Sequence, residues 1–225
     1  MADLVVIVPT RERPEAAATL AQAFHATCTA GTRLIFAVDE SDSRPPAFGD
    51  HHEWLGVQIC RSTTMVEALN EAARIYAPDA FAIGFMGDDH FPRTFGWDNA
   101  YLEALKGLGT GIVYGNDLLQ GHRLPTQCAM TSDVVRALGY MSPPELRHMY
   151  VDNFWRDLGN AADCLRYLHE VIVEHRHPIA GKAQIDEGYL RVNAPAVYEA
   201  DERAYAEYCR TRFAEDVAKV QALRG

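Results

Sequence analysis

What most restricts the folding of this chain is a recurring pattern, in which a short run apolar at every position is followed by a helical stretch. Leu4-Val5-Val6-Ile7-Val8 is the first such run, and Leu34-Ile35-Phe36-Ala37-Val38 is the second. A strand with one wet face alternates apolar and polar residues, so an uninterrupted β-branched run belongs in a parallel sheet covered on both sides. Pro9-Thr10 ends the first run, and Pro14 opens a helical stretch to about Cys28, with Leu20 and Phe24 at helical spacing. Asp39 closes the second run. Val57 to Cys60 reads as a third strand, about Thr64 to Tyr76 as a helix, and Phe81 to Met86 as a fourth strand running into Gly87-Asp88-Asp89-His90. Strands separated by helices of this length need right-handed crossovers, so the expected class is α/β, with a mostly parallel central sheet flanked by helices.

The second half is more mixed. A helix near Trp97–Leu105, strands at Gly111–Tyr114 and Gln127–Met130, helices at Thr131–Leu138 and Val151–Leu158, and a strand at Val171–His175 are expected. From about Asp201 to Leu223, Tyr205, Cys209, Phe213, Val217 and Val220 fall on one face, which predicts a single amphipathic helix packed on the body. No stretch reads as a linker, and residues 1–225 are expected to form one domain.

Composition removes several function classes. Hydrophobic residues are 48% and charged residues 23% of the 225, which excludes disordered and fibrous chains. Lys plus Arg is 21 against 31 Asp plus Glu, a net charge of −10 that makes nucleic-acid binding by bulk charge a poor expectation. The five cysteines are scattered with no CxxC pair, which argues against a disulfide framework or a cysteine zinc site and fits a reducing compartment. The early apolar run is too short for a signal sequence or a membrane span, so a cytoplasmic protein with no membrane partner is expected.

Ligands of open α/β sheets sit beyond the carboxyl ends of the strands. The polar residues there are Thr10, Arg11 and Arg13 after the first strand, Asp39 after the second, Arg61 after the third, and Asp88-Asp89-His90 after the fourth. Adjacent carboxylates repel, so such a pair is either a solvated turn or the holder of a cation; hard oxygen ligands suit Mg²⁺ or Mn²⁺ on a diphosphate. Arg11 and Arg13 either grip a base edge, ribose or phosphate, or are solvated charges ahead of a helix. No GxGxxG or GxxxxGK[ST] follows the first strand, and no nucleophile elbow or HExxH is present. In EHRHP, His175 and His177 are two apart, so on a strand both imidazoles face one spot, as metal or phosphate contacts or as a surface pair. Asp152, where a helix begins, is either its N-cap or a general base.

VVIVPTRERP, Asp39, FMGDDHFP, YVDNFW and EHRHP, in that order, resemble a glycosyltransferase of the GT-A fold, of the family 2 inverting type, over roughly Leu4 to Pro178. The resemblance implies a Rossmann-like sheet and a metal-dependent transfer of a sugar from a nucleoside diphosphate donor to an acceptor hydroxyl. UDP is the expected nucleotide, because uridine is the commonest base in that fold. It implies that Pro9, Thr10, Arg11, Arg13 and Asp39 border the nucleoside, with Arg61 near the base, Asp88 near the ribose, and Asp89 on Mn²⁺ or Mg²⁺. His175 or His177 would complete the metal site, and Asp152 would deprotonate the acceptor. Residues 1–90 would form the nucleotide half, 91–180 the acceptor half, and 181–225 a lid and the C-terminal helix.

The usual Asp-x-Asp is here Asp88-Asp89-His90, which also admits His90 as a ligand. AGKAQIDEGY reads as a lid whose Lys182 closes on the diphosphate. The order GDDH, VDNFW, EHRHP, AGKA also resembles the small phage-type glycosyltransferases associated with oxygenases of pyrimidine methyl groups. That would place the enzyme in a host cytoplasm, with hydroxymethylpyrimidine in DNA as acceptor beside the saccharide and small-molecule alternatives. A duplex would require Arg123, Arg136, Arg147 and His148 to gather into one basic face. The rival functions are a nucleotidyltransferase, for which PTRERP lacks the glycine-rich loop, and a nucleotide-sugar-binding module without turnover. Trp54, Trp97 and Trp155 read equally as core, acceptor platform or interface.

Overall fold

The computed structural model describes residues 3–49, 52–178, 181–182, 185 and 187–225. Strands β1 (Leu4–Thr10), β2 (Arg33–Asp39), β3 (Leu55–Cys60) and β4 (Ala82–Phe85) are linked by α1 (Pro14–Thr27) and α2 (Met65–Tyr76). β5 (His90–Pro92), α3 (Trp97–Leu108), β6 (Ile112–Asn116), β7 (Cys128–Thr131), α4 (Ser132–Leu138), α5 (Val151–Ala161) and β8 (Leu165–His175) follow. The chain ends in α6 (Glu187–Val192), α7 (Pro195–Thr211) and α8 (Phe213–Leu223).

The described strands form one sheet in the order β3-β2-β1-β4-β7-β6-β8-β5. The expectation of parallel pairing holds for β3-β2-β1-β4 and for β6 with β8. It fails at β7, which runs antiparallel to both β4 and β6, and at β5, antiparallel to β8. At β7 the cause is the connection: β6 reaches it through a loop with only a short 3-10 turn at Gly121–Arg123, without the helical crossover that a parallel neighbour needs.

Two cores cover the two faces of the sheet. Ile7, Ile35, Ile83 and Met130 pack with Leu69, Phe154, Trp155 and Leu158 on one side. Val6, Val8, Phe36 and Ala129 pack with Leu20, Phe24, Trp97 and Leu105 on the other. Trp97 and Trp155 are therefore core residues, whereas Trp54 is half-buried and stacks on His25 with ring centroids 4.8 Å apart.

Two elements differ from expectation. β8 begins at Leu165 rather than Val171, because its first half carries exposed Arg166, His169 and Glu170 and so lacks the wholly apolar signature. The C-terminal helix is broken at Arg212, whose backbone leaves the helical region at φ −128°. Arg212 donates to the Tyr140 hydroxyl at 2.8 Å and pairs with Glu145, which turns α8 onto the body. Tyr205 and Val220 are buried as expected, but Cys209 is exposed, because α7 turns Asp201, Tyr205 and Tyr208 inward.

α7 packs on the body through buried Tyr205 and Tyr208 and is tied to the loop before α5 by a buried carboxylate. Asp201 is 1% exposed and its carboxylate accepts the N–H groups of Arg147 (3.0 Å), His148 (2.8 Å) and Met149 (2.7 Å). Removing it leaves three part-buried amides without their acceptor, each costing up to about 1 kcal/mol or a little more. Asp201→Ala is expected to cost roughly 2–4 kcal/mol in chemical denaturation and to speed hydrogen exchange at those three amides more than elsewhere. Unchanged exchange at residues 147–149 would refute the anchoring role.

Candidate functional site

The carboxyl ends of β1, β2 and β4 converge on a cavity of about 550 Å³. Its floor is the turn between β4 and β5. Gly87 makes this turn feasible: a Cβ there would lie 2.6 Å from Asp89 Oδ1 and 3.0 Å from His90 Nδ1. Asp88 is buried and points back at the β1 loop, where Thr10 Oγ1 donates to its Oδ2 at 2.7 Å and Arg13 Nη1 to its Oδ1 at 3.1 Å. Burial pushes its carboxyl up and Asp89 adds to that, while Arg13 and Thr10 offset only part of the shift.

Asp89 turns the other way. His175 Nε2 lies 3.2 Å from its Oδ2, and His90 Nδ1 3.3 Å from its Oδ1. Burial alone would raise this carboxyl, but His175, by its hydrogen bond and charge, and the adjacent His90 hold it well below the ordinary range. The His90 and His175 rings stack at 4.2 Å, which antiparallel pairing of β5 with β8 brings about by setting the two residues opposite one another. Burial, then His175, pushes His90 down; for His175 burial acts downward, but Asp89 outweighs it and the imidazole is raised. His177 packs edge-on against His175 at 5.0 Å and lines the cavity, with its pKa lowered by burial.

Asp89, His90 and His175 each present a ligand atom, all within 4.8 Å of one another. His175 Nδ1 is buried without a hydrogen-bond partner. One carboxylate and two imidazoles form a mixed O/N donor set that suits Mn²⁺ better than Mg²⁺, which favours oxygen throughout. The residues present therefore fit a divalent transition ion.

Asp39 lines the cavity at the end of β2, accepting from Ser41 and, at 3.4 Å, from Ser62 Oγ. The Ser41 hydroxyl, acting against burial, lowers its pKa. Pro9, Thr10, Arg11 and Arg13 line the same cavity, but Arg61 does not. Its side chain is 88% exposed and pairs with Glu40 at 3.5 Å; the adjacent Ser62 lines the cavity instead. Lys182 also lies away from the lining, on Glu174 at 2.9 Å; its lid neighbours Ala180, Ala183, Gln184 and Asp186 fall outside the described residues.

Asp152 lines the cavity within the first turn of α5. It is not the N-cap, which is Tyr150 in the left-handed region at φ 66°. Burial pushes the Asp152 carboxyl up, against opposing hydrogen bonds from backbone amides and the charges of Arg156 and His175.

Sequence reading did not anticipate Thr126, Met149, Tyr150, Tyr189, Arg191 or Asn193, all of which line the cavity. They come from loops and from α6, distant in sequence and without periodic signal. Of the four residues considered for a basic face, Arg147 and His148 line the cavity, while Arg123 donates to the Leu119 and Gln120 carbonyls and Arg136 to that of Ala77.

No helix among the described residues is long and apolar enough to cross a membrane. No family model matches the chain, and no curated protein matches it in sequence. Solved structures do resemble it. TarS from S. aureus (residues 1–349) is similar over 99% of this chain and 90% of its own, at 13% identity and TM-score 0.55. The mannosyltransferase PcManGT from Pyrobaculum calidifontis, solved with GDP-Man and Mn²⁺, covers 99% of this chain and 74% of its own at 12% identity and TM-score 0.53. Glucosyl-3-phosphoglycerate synthase from Mycobacterium tuberculosis, solved with Mn²⁺, UDP and glucosyl-3-phosphoglycerate, covers 90% and 80% at 12% identity and TM-score 0.56. The chain thus has the α/β architecture of the GT-A glycosyltransferases, a mixed sheet flanked by helices.

Proposed function

We propose that this protein is a metal-dependent inverting glycosyltransferase that moves a sugar from a nucleoside diphosphate donor, a UDP-sugar in the first instance, to an acceptor hydroxyl. The observation that carries the reading is the Asp89–His90–His175 cluster on the floor of a cavity that also holds Asp88, Asp39 and Asp152. Structures of the same fold that were solved with Mn²⁺ and GDP-Man or UDP, or with UDP-GlcNAc, support it.

In this reading residues 1–90 take the nucleotide, with Pro9, Thr10, Arg11, Arg13 and Asp39 around the nucleoside and Asp88 at the ribose. Residues 91–180 present the acceptor, and 181–225 form the lid and C-terminal helices. Arg61 reaches the base, and Lys182 the diphosphate, only by leaving Glu40 and Glu174 respectively. Mn²⁺ or Mg²⁺ bound at Asp89, His90 and His175 supplies Lewis-acid stabilisation of the departing diphosphate. Asp152 accepts the acceptor's proton while the hydroxyl oxygen bonds to the anomeric carbon. The bond from that carbon to the β-phosphate oxygen breaks, its electron pair leaves with the nucleoside diphosphate, and the centre inverts. Burial strengthens Asp152 as a base. The acceptor is a saccharide or small-molecule hydroxyl. For hydroxymethylpyrimidine in duplex DNA, the quartet Arg123, Arg136, Arg147 and His148 supplies only two members to the cavity.

Thermal-shift measurements with nucleoside diphosphates, with and without Mn²⁺, test the donor site. One nucleotide is expected to raise the Tm only when Mn²⁺ is present, and Asp89→Ala to lose that rise. No shift with any nucleotide would remove the basis for this function.

Asp152→Asn is expected to keep donor binding while transfer falls by about 10²–10⁴ or more. The sign of its stability effect follows from burial. The folded carboxyl has a raised pKa, so its favourable, protonated form is populated only at low pH and is lost as pH rises through that value. The asparagine variant should therefore match or exceed the parent Tm at pH 7, with the difference shrinking on acidification. Full transfer activity in Asp152→Asn would exclude it as the base.

A further inference from the structure

His90 is 2% exposed, and the position of its ring proton is determined by residues outside the cluster. Asp117, just after β6 and 1% exposed, accepts through Oδ1 the N–H groups of Leu119 (3.0 Å), Gln120 (2.7 Å) and Gly121 (2.8 Å). Its Oδ2 accepts the Thr126 hydroxyl at 2.8 Å. An ionised carboxylate can only accept, so the single hydroxyl proton of Thr126 points at Asp117. Thr126 then offers a lone pair to His90 Nε2, 3.4 Å away, and that nitrogen must carry the ring hydrogen.

The other side of the ring agrees independently. The Gly87 backbone N–H, which can only donate, points at His90 Nδ1 at 2.9 Å. Nδ1 is therefore unprotonated, and it is the nitrogen 3.3 Å from Asp89 Oδ1. Asp117 also holds the second histidine, since its backbone carbonyl accepts the His175 N–H at 2.9 Å.

We propose that Asp117 and Thr126 are positioning residues for the divalent-metal site, keeping the His90 proton on Nε2 so that bare Nδ1 faces Asp89 and His175 as a ligand. This rests on the metal-dependent reading above. Outer partners of this kind fix the orientation and tautomer of a metal-binding imidazole. Both act on the metal site through His90.

Two measurements on the metal-free and Mn²⁺-titrated protein test the assignment. Long-range ¹H–¹⁵N spectra of the imidazoles should show His90 as the Nε2–H tautomer. Asp117→Asn can keep its carbonyl on the three amides and turn its NH₂ to Thr126, so the hydroxyl swings to His90 and the tautomer inverts. Free-Mn²⁺ electron paramagnetic resonance should show affinity roughly 10–100-fold weaker in Asp117→Asn and Thr126→Val, and restored in Thr126→Ser. Thr126→Val leaves the amide-binding carboxylate intact, so the test survives misfolding of the asparagine variant. An Nδ1–H tautomer in the parent protein, or parent-like Mn²⁺ affinity in the variants, would overturn the proposal. A parent protein that binds no Mn²⁺ overturns the metal reading itself and this role with it, whereas parent binding with indifferent variants overturns this role alone.

Discussion

The site depends on placing two neighbouring carboxylates, Asp88 and Asp89, in a turn with little access to water. Like charges at that distance are tolerated only if each is compensated separately. The turn achieves this by sending them in opposite directions: Asp88 to Thr10 and Arg13 of the β1 loop, Asp89 to His175 at the end of β8. These five residues therefore tie the parallel half of the sheet to the half built around β6 and β8. Gly87 is what permits the reversal, since any side chain there would collide with Asp89 and His90.

This arrangement explains which parts of the molecule were legible in the sequence. The wholly apolar strands β1, β2 and β4 declared themselves, and so did the polar residues at their ends, because burial on both faces leaves no other composition. β5 carried no such signal. It is three residues long and contains Pro92, yet its pairing with β8 is what sets His90 against His175. The first half of β8 is half exposed and so resembles a loop. The histidine pair EHRHP was visible, but only the tertiary pairing separates the roles of His175, in the cluster, and His177, beside it. Arg61 was marked by its position after a strand, but here its side chain points outward to Glu40 and the adjacent Ser62 lines the cavity.

The acidic composition takes on a different meaning once the acids are located. Asp98, Asp117 and Asp201 are each about 1% exposed or less, and each collects three or more donors. Asp98 takes the amides of Thr29 and Ala30 and the Thr32 hydroxyl, Asp117 three successive amides and Thr126, and Asp201 the amides of residues 147 to 149. Buried backbone donors need acceptors, and a carboxylate satisfies several at once with charge-assisted bonds. Part of the −10 is therefore internal fastening of irregular segments rather than surface field. Two of these fastenings hold cavity walls, which is why the α7 helix matters to a site formed mainly by strands.

Net charge likewise does not exclude an anionic ligand. Bulk potential governs non-specific attraction, but a diphosphate needs only local compensation, and Arg11, Arg13, Arg147 and Arg191 all line the cavity. The choice of histidine at position 90 belongs to the same account. A third carboxylate there would have put three negative charges into one short buried turn, with Arg13 and His175 as the nearby cations. A neutral imidazole supplies another metal-binding atom without another charge, and burial together with the neighbouring His175 keeps it neutral. The consequence is a donor set of two nitrogens and one carboxylate oxygen rather than oxygens alone.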